Sequence, residues 1–216
     1  MNVPFKVIKL DGEEMFGPYL LRVAGWTEDR YFKEAPEMRI VEFEDGEIIV
    51  HSPANIRHQR IIRFLTFLLE GYVEARNLGE VLNGPAVARL RAGLDYEPDI
   101  FVVAAAQLDQ LEEQYFSGAP MLVIEMISPG TRNYDLRTKA ANYREHRVPE
   151  YWAVDPEQQA LYQHILPQDP SAPYMVARYT EGRLESQVMA GLWIDVGWLW
   201  REPLPRQLAC LEQMLA

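Results

Sequence analysis

Two carboxylates in the middle of the chain have the residue type and the surroundings of a metal site. Asp99 begins the apolar run "DIFVVA", and Glu125 lies inside the apolar run "MLVIEMIS". A carboxylate in a buried strand is costly unless it is paired or binds a metal ion. Two neighbouring carboxylates repel each other unless a proton or a cation lies between them. A hard divalent cation such as Mg²⁺, which takes carboxylate oxygens and retains several waters, suits such a pair.

The order of the strands predicts that these two carboxylates meet at one edge of a sheet. Strands joined by a reversing connection run antiparallel, so the beginning of the first lies beside the end of the second. Pro98 cannot donate to a sheet ladder and marks the beginning of the first strand. We therefore expect the carboxyl groups of Asp99 and Glu125 to lie within about 6 Å of each other, close enough to share one cation.

A positive partner for Glu125 is missing from its own strand, because the residue two positions on, which shares its face, is Ile127. A helix is predicted at about residues 134–146. A helical wheel places Lys139 beside Tyr143 on the face of this helix that packs on the sheet. The flexible stem of Lys139 can carry its ammonium to the edge that holds the two carboxylates.

The elements that must position these residues alternate between strands and helices. A hairpin around an Asp-Gly pair is predicted at 38–53 and is followed by a long amphipathic helix, "IRHQRIIRFLTFLLEGYVEARN". The remaining elements are strands at "GEVLN", "AVARLRA", "DIFVVA", "MLVIEMIS", "EYWAVD" and "LYQHIL", a polar connection at 106–118, the helix at 134–146 and a short apolar helix, "RQLACLEQML". This pattern predicts an α/β (α+β) fold in which a mixed sheet is flanked by helices.

Composition predicts one soluble domain. The 216 residues suffice for a single substantial core, and we expect an N-terminal extension at 1–25 and one domain at 26–216. The single cysteine, Cys210, excludes an internal disulfide, and no apolar run is long enough to span a bilayer, so a cytoplasmic location is expected and no membrane partner. The net charge of −11 argues against non-specific adhesion to nucleic acid or anionic lipid.

Four segments in this order resemble a known family. They are "EPDIFVV", "VIEMISPGT", "YDLRTKAANY" and "RVPEYWAVDP", and together they are similar to the Uma-type family of putative restriction endonucleases, which belongs to the PD-(D/E)xK nuclease superfamily. The resemblance runs from about Trp26 to Trp200. It implies a restriction-endonuclease-like core, in which Asp99 matches the Asp of PD and Glu125 the acidic member of (D/E)xK.

Two positions depart from the pattern that this resemblance implies. The superfamily has a lysine where this chain has Ile127, and in the family the lysine is thought to come from the following helix, which matches Lys139. Many members have glycine where this chain has Arg147. Glycine is the residue best suited to end a helix in the left-handed conformation, so the arginine should cost about 1 kcal/mol there.

Each candidate has a structural alternative. Asp99 would cap the beginning of its strand, Glu125 would pair with Arg89 or Arg91, and Lys139 would pack its stem on the core while its ammonium reaches water.

Further candidates come from the hairpin and from the long helix. Glu42 matches an acidic family position and is either a third carboxylate or a solvent-facing acid. His58, near the apolar stripe of the long helix, is either a hydrogen-bonded structural residue or a phosphate contact or general base. Arg57, Arg60 and Arg63 are either phosphate contacts or a solvated charged face.

The resemblance and the carboxylate pair together predict a Mg²⁺- or Mn²⁺-dependent nuclease that hydrolyses DNA, with Asp99 and Glu125 holding the ion and Lys139 stabilising the transition state. Cutting both strands of a duplex suggests a twofold homodimer. The main alternative is a catalytically idle module of the same fold that binds nucleic acid or protein. A third possibility is a divalent-metal hydrolase with another substrate.

Overall fold

The computed structural model describes residues 19–35, 40–169 and 171–216. Residues 1–18 of the predicted N-terminal extension and the first two residues of the predicted hairpin lie outside the described residues. The described strands are β1 (Leu20–Ala24), β2 (Val41–Glu44), β3 (Glu47–His51), β4 (Gly79–Asn83), β5 (Val87–Arg91), β6 (Leu94–Tyr96), β7 (Ile100–Ala104), β8 (Tyr115–Ser117), β9 (Leu122–Met126), β10 (Glu150–Asp155), β11 (Ala160–Ile165), β12 (Met175–Tyr179), β13 (Arg183–Glu185) and β14 (Trp193–Asp195).

The described part of the chain contains fewer helices than strands, and one helix is much longer than the others. They are α1 (Glu28–Glu34), α2 (Ile56–Arg76), α3 (Ala140–Glu145) and α4 (Gln207–Leu215), with 3₁₀ segments at Ala105–Gln110 and Val196–Trp200 and a π-helical segment at Tyr134–Lys139. Of the helices among the described residues, none is both long and apolar enough to cross a lipid bilayer.

The strands form two six-stranded mixed sheets and a small ribbon. Sheet I has the order β1-β3-β2-β6-β5-β8, sheet II has the order β12-β11-β10-β9-β7-β4, and β13 pairs with β14. Each large sheet contains one parallel pair, β5 with β8 in sheet I and β9 with β10 in sheet II. The predicted α+β fold with a mixed sheet flanked by helices is therefore confirmed, although a second sheet is present that the sequence pattern did not predict.

Sheet II has a core on each face because its strands alternate. In β7, Ile100 and Val102 pack with the apolar side of α2, which includes Leu65 and Leu68. The intervening Phe101 and its neighbours pack on the opposite side, with residues of sheet I and of α3. Successive residues of a strand point to opposite faces of the sheet, so a residue just before or after the strand can also be assigned to a face.

The predicted elements correspond closely to the observed ones where periodicity was strong. The hairpin is β2 and β3, the long amphipathic helix is α2, and the other predicted strands and the apolar C-terminal helix are all present. The polar, helix-prone connection predicted at 106–118 contains most of the 3₁₀ segment Ala105–Gln110, and it differs from the prediction in also containing β8. The strands β6 and β8 were missed because each has only three residues, too few to show an alternating pattern.

The predicted helix at 134–146 is present but begins as a π-helix. Its first six residues, Tyr134–Lys139, have the wider turn, and α3 continues as an ordinary helix to Glu145. The 100° wheel therefore does not describe the first half. Lys139 is nonetheless buried, with only 1% of its surface exposed. Short π-helical turns occur frequently at functional sites.

Arg147 ends this helix in the left-handed conformation, with φ of 66°. The main-chain N–H of Val148 donates to the carbonyl of Tyr143 and that of Arg147 to the carbonyl of Arg144, which is the pattern of a glycine-type helix end. We expect Arg147→Gly to raise the free energy of unfolding by up to about 1 kcal/mol, because the Cβ penalty disappears. Arg144→Gly, inside the last turn, should lower it by about as much. Urea unfolding measures both, and a destabilised Arg147→Gly would contradict this reading.

Candidate active site

The two predicted carboxylates are brought together by the register of sheet II. In the antiparallel pair β7–β9, Ile100 lies opposite Ile124, and continuing this register by one residue places Asp99 opposite Glu125. Opposite residues of an antiparallel pair share a face. The predicted meeting of the two strand ends is therefore confirmed. Both side chains line one cavity of about 110 Å³.

Asp99 is tied to the neighbouring strand and to α2. Its Oδ2 accepts a 2.7 Å hydrogen bond from the main-chain N–H of Met126, and its Oδ1 lies 3.4 Å from Nε2 of His58. His58 lies in the first turn of α2, where its main-chain N–H donates to the Oδ1 of Asn55 at 2.9 Å. The structure thus places the histidine candidate against the aspartate candidate.

Glu125 receives two donors on one oxygen. The ammonium of Lys139 and the hydroxyl of Tyr143 each donate to its Oε1 at 2.7 Å. The missing positive partner of Glu125 is therefore the lysine predicted from the following helix. The alternative in which Glu125 pairs with an arginine is wrong, because Arg89 pairs with Asp95 and Glu28, and Arg91 with Asp45.

Lys139 also contacts a carboxylate of sheet I, across the space between the sheets. Its Nζ lies 2.6 Å from Oε1 of Glu42, while the Oε2 of Glu42 lies 2.8 Å from Nε2 of His51. Glu42 is fully buried, so the interpretation of it as a solvent-facing hairpin acid is wrong. The ammonium of Lys139 does not reach water either, so its alternative is also wrong. Lys139 bridges two carboxylates that come from different sheets.

The two carboxylates that Lys139 bridges, those of Glu42 and Glu125, have pKa values shifted in opposite directions. Burial alone would raise the pKa of Glu42, but the Lys139 ammonium and His51 lower it to about 2. Burial, reinforced by the charges of Asp99 and Glu42 and only partly offset by Lys139, raises the pKa of Glu125 to about 8. Burial opposes the charge on Lys139, yet its two carboxylate partners raise its pKa well above the ordinary value. The lysine therefore stays protonated, and its firm ion pair is with Glu42.

The cavity contains an excess of acid. Among the described residues that line it, the acids are Glu97, Asp99, Glu125 and Asp135, against the one ammonium of Lys139 and two imidazoles. All four acids are buried. Burial raises the pKa of Glu97 to about 8, so this site favours either protons or a bound cation over bare carboxylates.

A divalent cation fits the oxygens at the end of β9. No three His, Cys, Asp or Glu side chains among the described residues form a ready metal cluster, so the protein ligands would be the carboxylates of Asp99 and Glu125. Oε2 of Glu125 accepts no hydrogen bond from the described residues, in contrast to Oε1. Mg²⁺ suits such a site, because it binds through one or two carboxylates and retains several waters.

Three members of the site were not identified as such from the sequence. His51 could have been identified from the sequence, because it lies in a predicted strand two residues after the inward-facing Ile49 and therefore on the same face. Tyr143 was placed on the sheet-facing side of its helix but given no role. Asp135 is buried, which raises its pKa to about 6 despite Lys139 nearby. No local pattern pointed to it, because the π-helical turn that orients it is not visible in the sequence.

Comparison with known proteins agrees with this fold. The profile of the Uma2 family, described as "Putative restriction endonuclease", matches residues 29–197. A crystal structure of a putative nuclease belonging to DUF820 from Anabaena variabilis ATCC 29413 superposes with a TM-score of 0.67 at 17% identity, covering 81% of this chain and 97% of that one. No curated protein sequence matches. The superposition confirms the predicted nuclease-like fold, and the profile spans most of the chain, so this protein belongs to the Uma2 family of putative restriction endonucleases.

Proposed function

We propose that this protein is a Mg²⁺- or Mn²⁺-dependent endonuclease that hydrolyses phosphodiester bonds of DNA. Family membership supports a nuclease. The observation that carries the proposal is the pair of strand-end carboxylates, Asp99 and Glu125, that line one cavity beside a charged lysine. Acids and a lysine held in this way, away from bulk water, form an environment suited to stabilising a phosphoryl transition state.

Asp99 and Glu125, with a main-chain carbonyl near Met126, would hold the ion. A bound divalent ion lowers the pKa of its water and neutralises charge on the phosphate. The hydrogen bond from the Met126 N–H to Asp99 fixes one carboxylate, and the Tyr143 hydroxyl fixes the other. These contacts hold both ligands in one orientation before the ion arrives.

Lys139 would orient the attacking water and stabilise the negative charge that develops on the phosphate. Its pKa lies well above the ordinary value because of its two carboxylate partners, so it acts as a fixed cation and not as a general base. Glu42 and His51 would position it, since Glu42 is the carboxylate whose pKa is lowered by the pairing. A preorganised donor of this kind stabilises a transition state without reorganisation.

A homodimer in the cytoplasm is the setting that we propose for this activity. One site addresses one phosphate, so cutting both strands of a duplex requires two sites, which a twofold dimer supplies. The single cysteine of the chain, Cys210, is buried and unpaired, as is usual for a protein of a reducing compartment.

Incubation of the purified protein with supercoiled, linear and single-stranded DNA tests the proposal. We expect cleavage with Mg²⁺ or Mn²⁺ and none with EDTA, because the ion is needed to neutralise the negative charge on the phosphate. A dimer acting on both strands would produce linear DNA directly, whereas a monomer would accumulate nicked circles. DNA binding without cleavage under every condition would instead support the idle binding module of the same fold.

A further inference from the structure

A second cavity, of about 380 Å³, is lined by five arginines. Arg57, Arg60 and Arg63 come from the first turns of α2, and Arg201 and Arg206 come from the segment that leads into α4. We call these five residues the arginine basin. The basin holds five of the 21 basic residues of a chain whose net charge is −11, so it is a positively charged patch on an acidic protein.

Most of this positive charge has no counter-charge. Glu202 is the single acid among the residues that line the basin. Its carboxylate is shared between Arg57, at 3.2 Å, and Arg60, at 3.8 Å. Among the described residues, no carboxylate forms an ion pair with Arg63, Arg201 or Arg206. The Nε of Arg57 is buried without a hydrogen-bond partner. A formal excess of four positive charges therefore lines one concave surface.

The arginine basin is continuous with the cavity that holds the carboxylates. A third cavity, of about 470 Å³, is lined by Asp99, Arg63 and Gln207, and Glu70 is the one acid besides Asp99 among the described residues that line it. Asp99 also lines the carboxylate cavity, and Arg63 and Gln207 also line the basin. A ligand that lies along this third cavity would therefore touch both sites.

His58 and Arg63 relate the two cavities along α2. His58 faces Asp99, and Arg63, five residues further on and about 7.5 Å away along the helix axis, lines the basin. A strand whose scissile phosphate lies at Asp99 would therefore reach the rim of the basin through the third cavity, which Asp99 and Arg63 both line.

We propose that the arginine basin binds the phosphate backbone of the DNA strand beside the cleaved bond. This inference rests on the proposed nuclease function and deepens it, since it assigns the surface that holds an anionic substrate on an acidic protein. Arginine suits the role because its planar fork presents several donors to phosphate oxygens. The aromatic side chain in the floor, Phe64, is only 1% exposed, so the basin reads backbone charge and not bases.

Equilibrium binding of a fluorescently labelled duplex in EDTA tests the basin without any dependence on cleavage. The variant is Arg60→Gln with Arg63→Gln, and both residues are exposed, so the fold should be retained. The matched control is Arg76→Gln with Arg178→Gln, which removes the same charge from exposed positions elsewhere. We expect the basin variant to bind on the order of tenfold or more weakly at 0.1 M salt, and the slope of log affinity against log salt to fall by about 2.

The outcomes separate this proposal from the nuclease proposal. If the basin variant and the control variant lose affinity and salt dependence equally, the basin proposal is overturned, whether or not the wild-type protein cleaves DNA. If wild-type protein binds no duplex at low salt, the basin proposal is also overturned. If binding depends on the basin but no ion supports cleavage, the basin stands as a DNA-binding surface and the nuclease function fails.

Discussion

Replacement of either metal-binding carboxylate, by Asp99→Asn or by Glu125→Gln, is expected to abolish metal-dependent cleavage of DNA. Each change replaces one of the two carboxylates that we assign to the ion, and a neutral amide is a poorer ligand for Mg²⁺ than a carboxylate. Cleavage of supercoiled plasmid and calorimetric titration with Mg²⁺ or Mn²⁺ measure the two consequences separately. We expect ion binding and cleavage to be lost together.

Both variants should remain folded, because the amides retain the hydrogen bonds of the carboxylates. The new amide oxygen at position 99 can still accept from the N–H of Met126, and the one at position 125 can still accept from Lys139 and Tyr143. Relief of repulsion among the buried acids offsets part of any loss. Circular dichroism and urea unfolding would verify this.

Asp95→Asn is the matched control for these variants. Asp95 is a fully buried acid outside the cavity, and burial raises its pKa to about 7, against the opposing charge of Arg89. This change also converts a buried acid to an amide, yet it should leave cleavage near the wild-type rate. If Asp99→Asn and Glu125→Gln still cleave DNA, or if they unfold while wild-type protein ignores both ions, the two acids have a structural role only.

Loss of Lys139 is expected to lower turnover by about 10²- to 10³-fold, the size seen when one preorganised donor is removed. Replacement of Lys139 alone is a poor test, because Lys139 contacts two buried carboxylates that would lose their cation. Breaking a buried pair by removing one partner costs about 3–5 kcal/mol of stability. Lys139→Met alone would therefore confuse loss of catalysis with loss of folding.

A charge-balanced variant separates the two effects. Glu42→Gln with Lys139→Met removes the lysine together with its firmest carboxylate partner, and the new glutamine can still accept from His51. Methionine fills the space of the lysine stem with a flexible apolar chain. The reference is Glu42→Gln alone, which retains the ammonium beside Glu125. Turnover at saturating Mg²⁺ should be lower in the double variant by the stated factor, with ion binding retained.

Equal turnover in Glu42→Gln and in the double variant would contradict the assignment of Lys139. The cation that stabilises the transition state would then come from elsewhere, and His58, which lies 3.4 Å from Asp99, would be the next residue to replace. Loss of ion binding in the double variant would mean that Lys139 organises the metal ligands and does not act on the phosphate.

Short-range patterns in the sequence were sufficient for much of the site. The apolar runs "DIFVVA" and "MLVIEMIS" predicted two strands, and their reversing connection predicted that Asp99 and Glu125 would meet, as the register confirms. The helical wheel also directed Lys139 toward the sheet, and its ammonium contacts Glu125, although the segment that ends at Lys139 is π-helical and departs from the period on which the wheel rests. The inference about the two carboxylates succeeded because it depends only on the pairing of neighbouring strands.

Only the tertiary structure decided what surrounds those three residues. Glu42 and His51 belong to a separate sheet, and their contact with Lys139 depends on how sheet I packs against sheet II. Asp135 and the π-helical turn that carries it have no local signature. The arginine basin joins α2 to the segment before α4, about 140 residues away in the chain. Periodicity determines which face of an element is buried, but the packing of distant faces determines which charges share a cavity, and this depends on the whole core.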